Sequence, residues 1–200
     1  MGNVLISQRY YYLNSVITRR RKPSLNNFVV RVCGVVDWDK LTKALQRVVE
    51  VHDALRTTFY MDGRNVCDRV ISDVCCNVQQ VDVGNTSIEK FMRDYCEDFN
   101  LKVAPLIRFY HVKAGHESYL VLQLPHINSD GWSLQKIIEH LSCYYSGKDI
   151  LKITSFQKYK EAFRNYLDSR LFSKNQEYWA RATKGLTNVI YRNEPAKYHS

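Results

Sequence analysis

The stretch from Tyr119 to Leu124 is apolar almost without a break. A strand that rests one face in water alternates apolar and polar residues, so a continuous run of this kind has to be covered on both faces. It therefore needs strands beside it and a layer above and below. The rest of the chain offers both. Phe28 to Val36 reads as a Val-rich strand, with Asn26-Asn27 before it as a turn signal. Arg56 to Met61 and Arg64 to Ile71 form a hairpin around Asp62-Gly63. Cys76 to Val83 is a weaker strand pattern, and Leu106 to Val112 is a strand joined near Gly115 to the apolar run.

Helices alternate with these strands. One is expected over residues 3–18, carrying an aromatic stripe from Tyr10 to Tyr12. Asp37 can cap a second over residues 38–52, in which Leu41, Ala44, Leu45 and Val48 recur at helical spacing. Thr86-Ser87-Ile88-Glu89 is a capping box, which predicts a helix to about Phe99. Trp132 to Tyr145 follows, with Leu134, Ile138, Leu141 and Tyr145 as its buried stripe and Gly147 at its end. Two more are expected, over about residues 155–168 and 172–184. Strands mixed with enough helices to cover a sheet predict an α/β layered fold. After Gly185 the pattern fades into a linker-like tail containing Pro195.

Composition narrows the function classes. With 200 residues and 45% apolar content, the chain can bury a sizeable core. A formal charge of +9 favours acidic partners, although the one dense run, Arg19-Arg20-Arg21-Lys22, reads as a solvated loop. No helix-turn-helix, finger or aromatic RNA-binding signature accompanies that charge, so nucleic acid is not the expected partner. The six cysteines show no CxxC and no zinc spacing; several lie in apolar runs, and a reducing cytoplasm is the simplest setting. No run approaches the ~18 apolar residues of a membrane span. The start MGNVLISQRYYY lacks the layout of a signal peptide, and Ile6 stands where a myristoylation motif needs Ser or Thr.

One segment carries chemistry: Pro125-His126-Ile127-Asn128-Ser129-Asp130-Gly131-Trp132-Ser133. It sits where the buried strand ends and a helix begins. Such a junction aims side chains off the sheet edge and leaves free backbone N–H groups that stabilise developing negative charge. An imidazole there can act as a general base near neutral pH. Asp130 can cap the helix or pair with a buried cation. No nucleophilic serine in a G-x-S-x-G setting and no H-E-x-x-H spacing accompanies the histidine, so no metal is expected.

The segment resembles the His-His-x-x-x-Asp-Gly signature of nonribosomal peptide synthetase condensation domains, often followed by Trp-Ser. The second His, the Asp, the Gly and the Trp-Ser match; Pro125 replaces the first His. Ser7-Gln8-Arg9 with Leu13 resembles the family's opening motif, and His52-Asp53-Ala54-Leu55-Arg56-Thr57-Thr58-Phe59 its second. Phe99-Asn100-Leu101 with Pro105-Leu106-Ile107-Arg108 is similar to a further segment, and Tyr159 through Tyr178-Trp179 to the fourth motif. The matches stop where the family's N-terminal lobe stops.

The resemblance implies a chloramphenicol-acetyltransferase-like α/β sandwich, one of the two lobes of a condensation domain. Residues 1–185 would form that lobe and 186–200 a linker toward a C-terminal lobe absent from this sequence. It implies amide-bond formation between thioesters on the phosphopantetheine arms of carrier proteins, with no cofactor bound directly. His126 would remove a proton from the attacking amine or position it, and the Gly131 N–H would help hold the oxyanion. Trp132 and Ser133 would contact substrate. Asp130 would pair with Arg56 to fix the loop, and Pro125, with no N–H, suits a strand end. In either role His126 must be neutral, so activity should fall in acid. Peptidyl or acyl carrier proteins and a C-terminal lobe are the implied partners. Self-association through the face left uncovered is also expected. A non-catalytic carrier-docking lobe and a related stand-alone acyltransferase stay open as alternatives.

Overall fold

The computed structural model describes residues 4–17, 24–95, 97–150 and 153–185. The Arg19–Lys22 run and the tail after Gly185 lie outside them. Six strands and six α-helices are present among the described residues, in the order α1 (Ile6–Ile17), β1 (Leu25–Val32), α2 (Trp38–Val51), β2 (Thr57–Asp62), β3 (Asn65–Val70), β4 (Val78–Asp82), α3 (Ile88–Asp94), β5 (Arg108–Ala114), β6 (Glu117–Pro125), α4 (Gly131–Tyr145), α5 (Phe156–Leu167) and α6 (Arg170–Ala182). The chain divides into two compact units, Met1–Lys160 and Glu161–Ser200.

In the first unit a four-stranded sheet runs in the order β1-β6-β5-β4, and β2-β3 is a separate hairpin. β6 pairs antiparallel with β1 and with β5, while β5 pairs parallel with β4. The apolar run thus lies inside the sheet, and its residues alternate between two clusters. Leu120, Leu122 and Leu124 join Leu41, Ala44, Leu45, Val48 and Val49 of α2 and Leu134, Ile137 and Leu141 of α4. Val121 joins Phe91 of α3 with Tyr110 and Val112 of β5. Helices therefore cover both faces, the layering that favours apolar residues on both sides of β6; the buried polar exception, Gln123, donates its amide to the Tyr95 carbonyl at 3.3 Å. A third cluster ties Tyr12 of α1 to Phe59, Val66, Leu106 and Ile127. It brings α1 to the loop that follows β6.

Several expected bounds move. β1 begins at Leu25 rather than Phe28 and stops at Val32, so Asn26 and Asn27 are strand residues and not a turn. The register Leu25↔Pro125 and Asn26↔Leu124 accounts for this, since β6 supplies a full-length partner. α3 starts with Ser87 as its cap, accepting from the Lys90 N–H at 3.3 Å, and ends at Asp94, five residues short of Phe99. Beyond it the Arg108 guanidinium takes the carbonyls of Glu97 and Asp98 at 2.9 and 2.8 Å and lies over the Phe99 ring. Arg108 of β5 thus holds the segment that follows α3.

In the second unit, Ser169 caps α6 by accepting from the Phe172 N–H at 3.2 Å. Tyr166 meets Phe172 edge to face, and its hydroxyl accepts from Asn175 at 3.0 Å. Among the described residues, no helix is long and apolar enough to cross a membrane.

Candidate active site

Pro125 is the last residue of β6, where its missing N–H costs no ladder bond. The chain then turns through His126 to Asp130 and enters α4. The turn is held from inside: Ser129 donates its hydroxyl to the Pro125 carbonyl at 2.9 Å, and Asn128 donates its amide to the Ala54 carbonyl at 3.0 Å. The His126 N–H donates to the Ser24 carbonyl at 3.0 Å.

The His126 ring is half-buried and has two close companions. Tyr11 of α1 stacks on it, with centroids 5.6 Å apart and planes 8° from parallel. The Asn26 amide nitrogen lies 3.2 Å from Nδ1, and also 2.9 Å from the Ser129 carbonyl and 3.0 Å from the Ser129 hydroxyl. No described residue hydrogen-bonds Nε2. The imidazole is thus gripped by one nitrogen and one face, and no described residue engages the other nitrogen.

Asp130 caps α4. Its carboxylate accepts from the Ser133 N–H and the Ser133 hydroxyl, both at 2.7 Å, and the Asp130 N–H donates back to that hydroxyl at 3.2 Å. These bonds to Ser133 hold the carboxyl below its ordinary range. The cap commits the Ser133 hydroxyl to Asp130. Gly131 is exposed at the first helical position, and a Cβ built there meets nothing within 4 Å. Neither its turn nor its packing requires glycine. Trp132 is 76% exposed.

The expected Asp130–Arg56 pair is not formed. The Arg56 guanidinium donates instead to the carbonyls of Val49 at 3.0 Å, Glu50 at 2.9 Å, Ser72 at 3.5 Å, and Ile71. Val49 and Glu50 end α2, where carbonyls have no helical partner, and a cation satisfies them well. Arg56 thus fastens the end of α2 to the strand exit after β3. Asp130 needs no cation, because Ser133 already supplies its donors.

Two groupings in the second motif were not foreseen. Asp53 reaches across the chain to cap α5, accepting from the Ser155 hydroxyl at 2.6 Å and from the N–H groups of Phe156 and Gln157 at 2.8 and 3.2 Å. His52, at the C-terminal end of α2, stacks on His140 of α4 with Nε2 2.8 Å from Nδ1. Burial first, then repulsion from His140, pushes the His52 pKa down to about 4, while Asp53 opposes weakly. His140 is also lowered, chiefly by burial. Asn26 was missed as well: as one half of a turn signal it carried no hint of a partner 100 residues away.

The sheet layered by helices, with a histidine loop opening into a capped helix at one strand end, can be compared with known proteins. The profile of the condensation domain family matches residues 4–197. The chain belongs to the condensation domain family. Bacitracin synthase 3 of Bacillus licheniformis is 28% identical over 173 residues, which is 86% of this chain and 3% of that protein. Surfactin synthase subunit 1 of Bacillus subtilis (strain 168) is 28% identical over 165 residues, 81% of this chain and 5% of that protein. Among solved structures, the starter condensation domain of the rhizomide synthetase superimposes with a TM-score of 0.79 at 17% identity, over 92% of this chain and 48% of that one. The X-domain solved in complex with OxyB from teicoplanin biosynthesis gives a TM-score of 0.80 at 19% identity, over 93% of this chain and 44% of that one. The chain therefore spans about half the length of these structural relatives and a few per cent of the synthetases. It has the condensation domain fold, with a mixed sheet of the chloramphenicol-acetyltransferase type.

Proposed function

We propose that this chain supplies the histidine-bearing half of an amide-forming site, acting on two substrates held as thioesters by carrier proteins. In the reaction the acceptor amine forms a C–N bond to the thioester carbon and the C–S bond breaks. The proton lost from nitrogen ends on the departing thiol. The observation that carries this reading is the state of His126: oriented through Nδ1 and its ring face, with Nε2 unengaged. Gly131 supports it. Its N–H stands at the start of α4, and no fold requirement explains its lack of a side chain, so the open space there suits an approaching thioester carbonyl. Holding two tethered reactants together would supply much of the rate. The partners are peptidyl or acyl carrier proteins and a C-terminal lobe that closes the site; the phosphopantetheine arms enter as substrate, not cofactor.

A second reading is a binding lobe without chemistry. Pro125 in place of the first signature histidine favours it, and a domain of this fold has been solved bound to another protein, OxyB.

The deciding experiment loads donor and acceptor carrier proteins, mixes them with this chain, alone and with a C-terminal lobe, and follows product by mass spectrometry. Product that falls at least about 100-fold in His126→Ala is expected. Carrier binding without product in any mixture supports the binding lobe.

A further inference from the structure

The hydrogen bonds around Asn26 define which nitrogen of His126 carries its proton. Three atoms lie around the Asn26 side-chain nitrogen, the Ser129 carbonyl oxygen, the Ser129 hydroxyl oxygen and His126 Nδ1, at 2.9, 3.0 and 3.2 Å; an NH2 there has two hydrogens, one shared by the two Ser129 oxygens and one left facing Nδ1. A backbone carbonyl only accepts, so the Asn26 atom facing it must be the NH2 and not the amide oxygen. The Ser129 hydroxyl proton is already donated to the Pro125 carbonyl, so that oxygen also accepts from Asn26. Every neighbour thus agrees on the amide's orientation. An NH2 facing Nδ1 requires Nδ1 to be the ring's acceptor, which in a neutral imidazole places the hydrogen on Nε2.

We infer that Asn26 is a positioning residue that fixes His126 as its Nε2–H tautomer, so that the histidine meets its substrate as a hydrogen-bond donor and not as a base. The inference rests on His126 being the residue that faces the reactants. A ring with Nε2 protonated and Nδ1 bonded to an amide has no free lone pair for the amine's proton. It does present an N–H to an oxygen that gains charge, such as the thioester carbonyl on its way to a tetrahedral intermediate. The amine's proton then passes to the departing thiolate without stopping on His126. Tyr11, stacked on the ring face, opposes the ring turn that would swing Nδ1 away from Asn26. β1 delivers Asn26 to this place because the register sets it beside the last residues of β6.

The test is long-range 1H–15N correlation spectroscopy of the 15N-labelled full chain above neutral pH, with the His126 ring assigned by its loss in His126→Gln. Wild-type protein is expected to show the hydrogen on Nε2 with no detectable Nδ1–H form. In Asn26→Asp, a carboxylate that only accepts should move the hydrogen to Nδ1; in Asn26→Ala the Nδ1–H form should become detectable. Wild-type signals with Nδ1 protonated overturn the inference even if neither variant folds. Tautomer ratios equal to wild type in folded Asn26→Asp or Asn26→Ala overturn it as well. The spectra need no substrate, so failure to form amide in the carrier-protein assay sinks the catalytic reading while leaving this one to be judged separately.

Discussion

The Arg56 guanidinium sits among carbonyls and not beside a carboxylate, and this sets how its loss will be felt. Arg56→Met strips a charged donor from the end of α2 and from Ile71, and should cost about 2 kcal/mol in urea unfolding. Asp130→Ala removes only a helix cap and should cost about 1 kcal/mol. The double variant should lose the sum within about 0.5 kcal/mol, because the two residues share no partner. A coupling energy well above that would mean that the two charges meet after all. The second motif shows in sequence that Arg56 matters. What it cannot show is that backbone carbonyls compete for the guanidinium, since carbonyls carry no residue identity. Gly131 is different: its motif position was legible, and the open space around it agrees with a role toward a ligand. Gly131→Val should leave the unfolding midpoint nearly unchanged and still lower amide formation.

At the level of elements, α2 and α4 are joined on the outside of their shared core by His52 and His140. One ring nitrogen donates and the other accepts, so the bond tolerates a second proton on one ring but is lost when both rings carry one. The folded His52 pKa of about 4 lies below the ordinary value near 6.5 that it regains on unfolding. As pH falls through that window, the unfolded chain binds a proton that the folded one refuses. The stability difference is then lost from the native side, by up to about 3 kcal/mol, and is fully present only above the unfolded value. Urea midpoints at about pH 7.5 and about pH 4.5 should differ strongly in the wild type and much less in His52→Gln. Equal pH dependence in both would remove the pair from the account. The helices that carry these histidines were legible from their apolar spacing, and so was β6 from its unbroken apolar run. The early end of α3 was not, and the Arg108 guanidinium that holds the segment after it comes from β5, outside the helix. Asn26 and His140 were illegible for a related reason: each acts on a residue that only tertiary packing brings near.

On the scale of the whole molecule, the sharpest electrostatic commitment is the pair of Lys160 and Asp68, whose side chains are 0% and 2% exposed. It fixes α5 to β3. Lys160→Met leaves an unpaired carboxylate in the interior and should cost about 3–5 kcal/mol, whereas replacing both partners with apolar residues should recover most of that loss. Thermal unfolding of the single and double variants separates these outcomes. The layered α/β architecture was readable from the alternation of strand and helix patterns, but the buried ion pair was not, since a lysine in an amphipathic helix ordinarily points to water. The sheet's strand order has a further consequence. Among the described residues β1 is an edge strand, paired in the sheet with β6 alone, and it carries Asn26. Edge strands open more readily than central ones, on a free-energy scale of their own. Each detachment of β1 would take Asn26 away from His126. Under the proposed function, the fraction of molecules competent at this site would then follow the fraying equilibrium of one strand, and amide exchange in β1 should report it more faithfully than the global melting temperature.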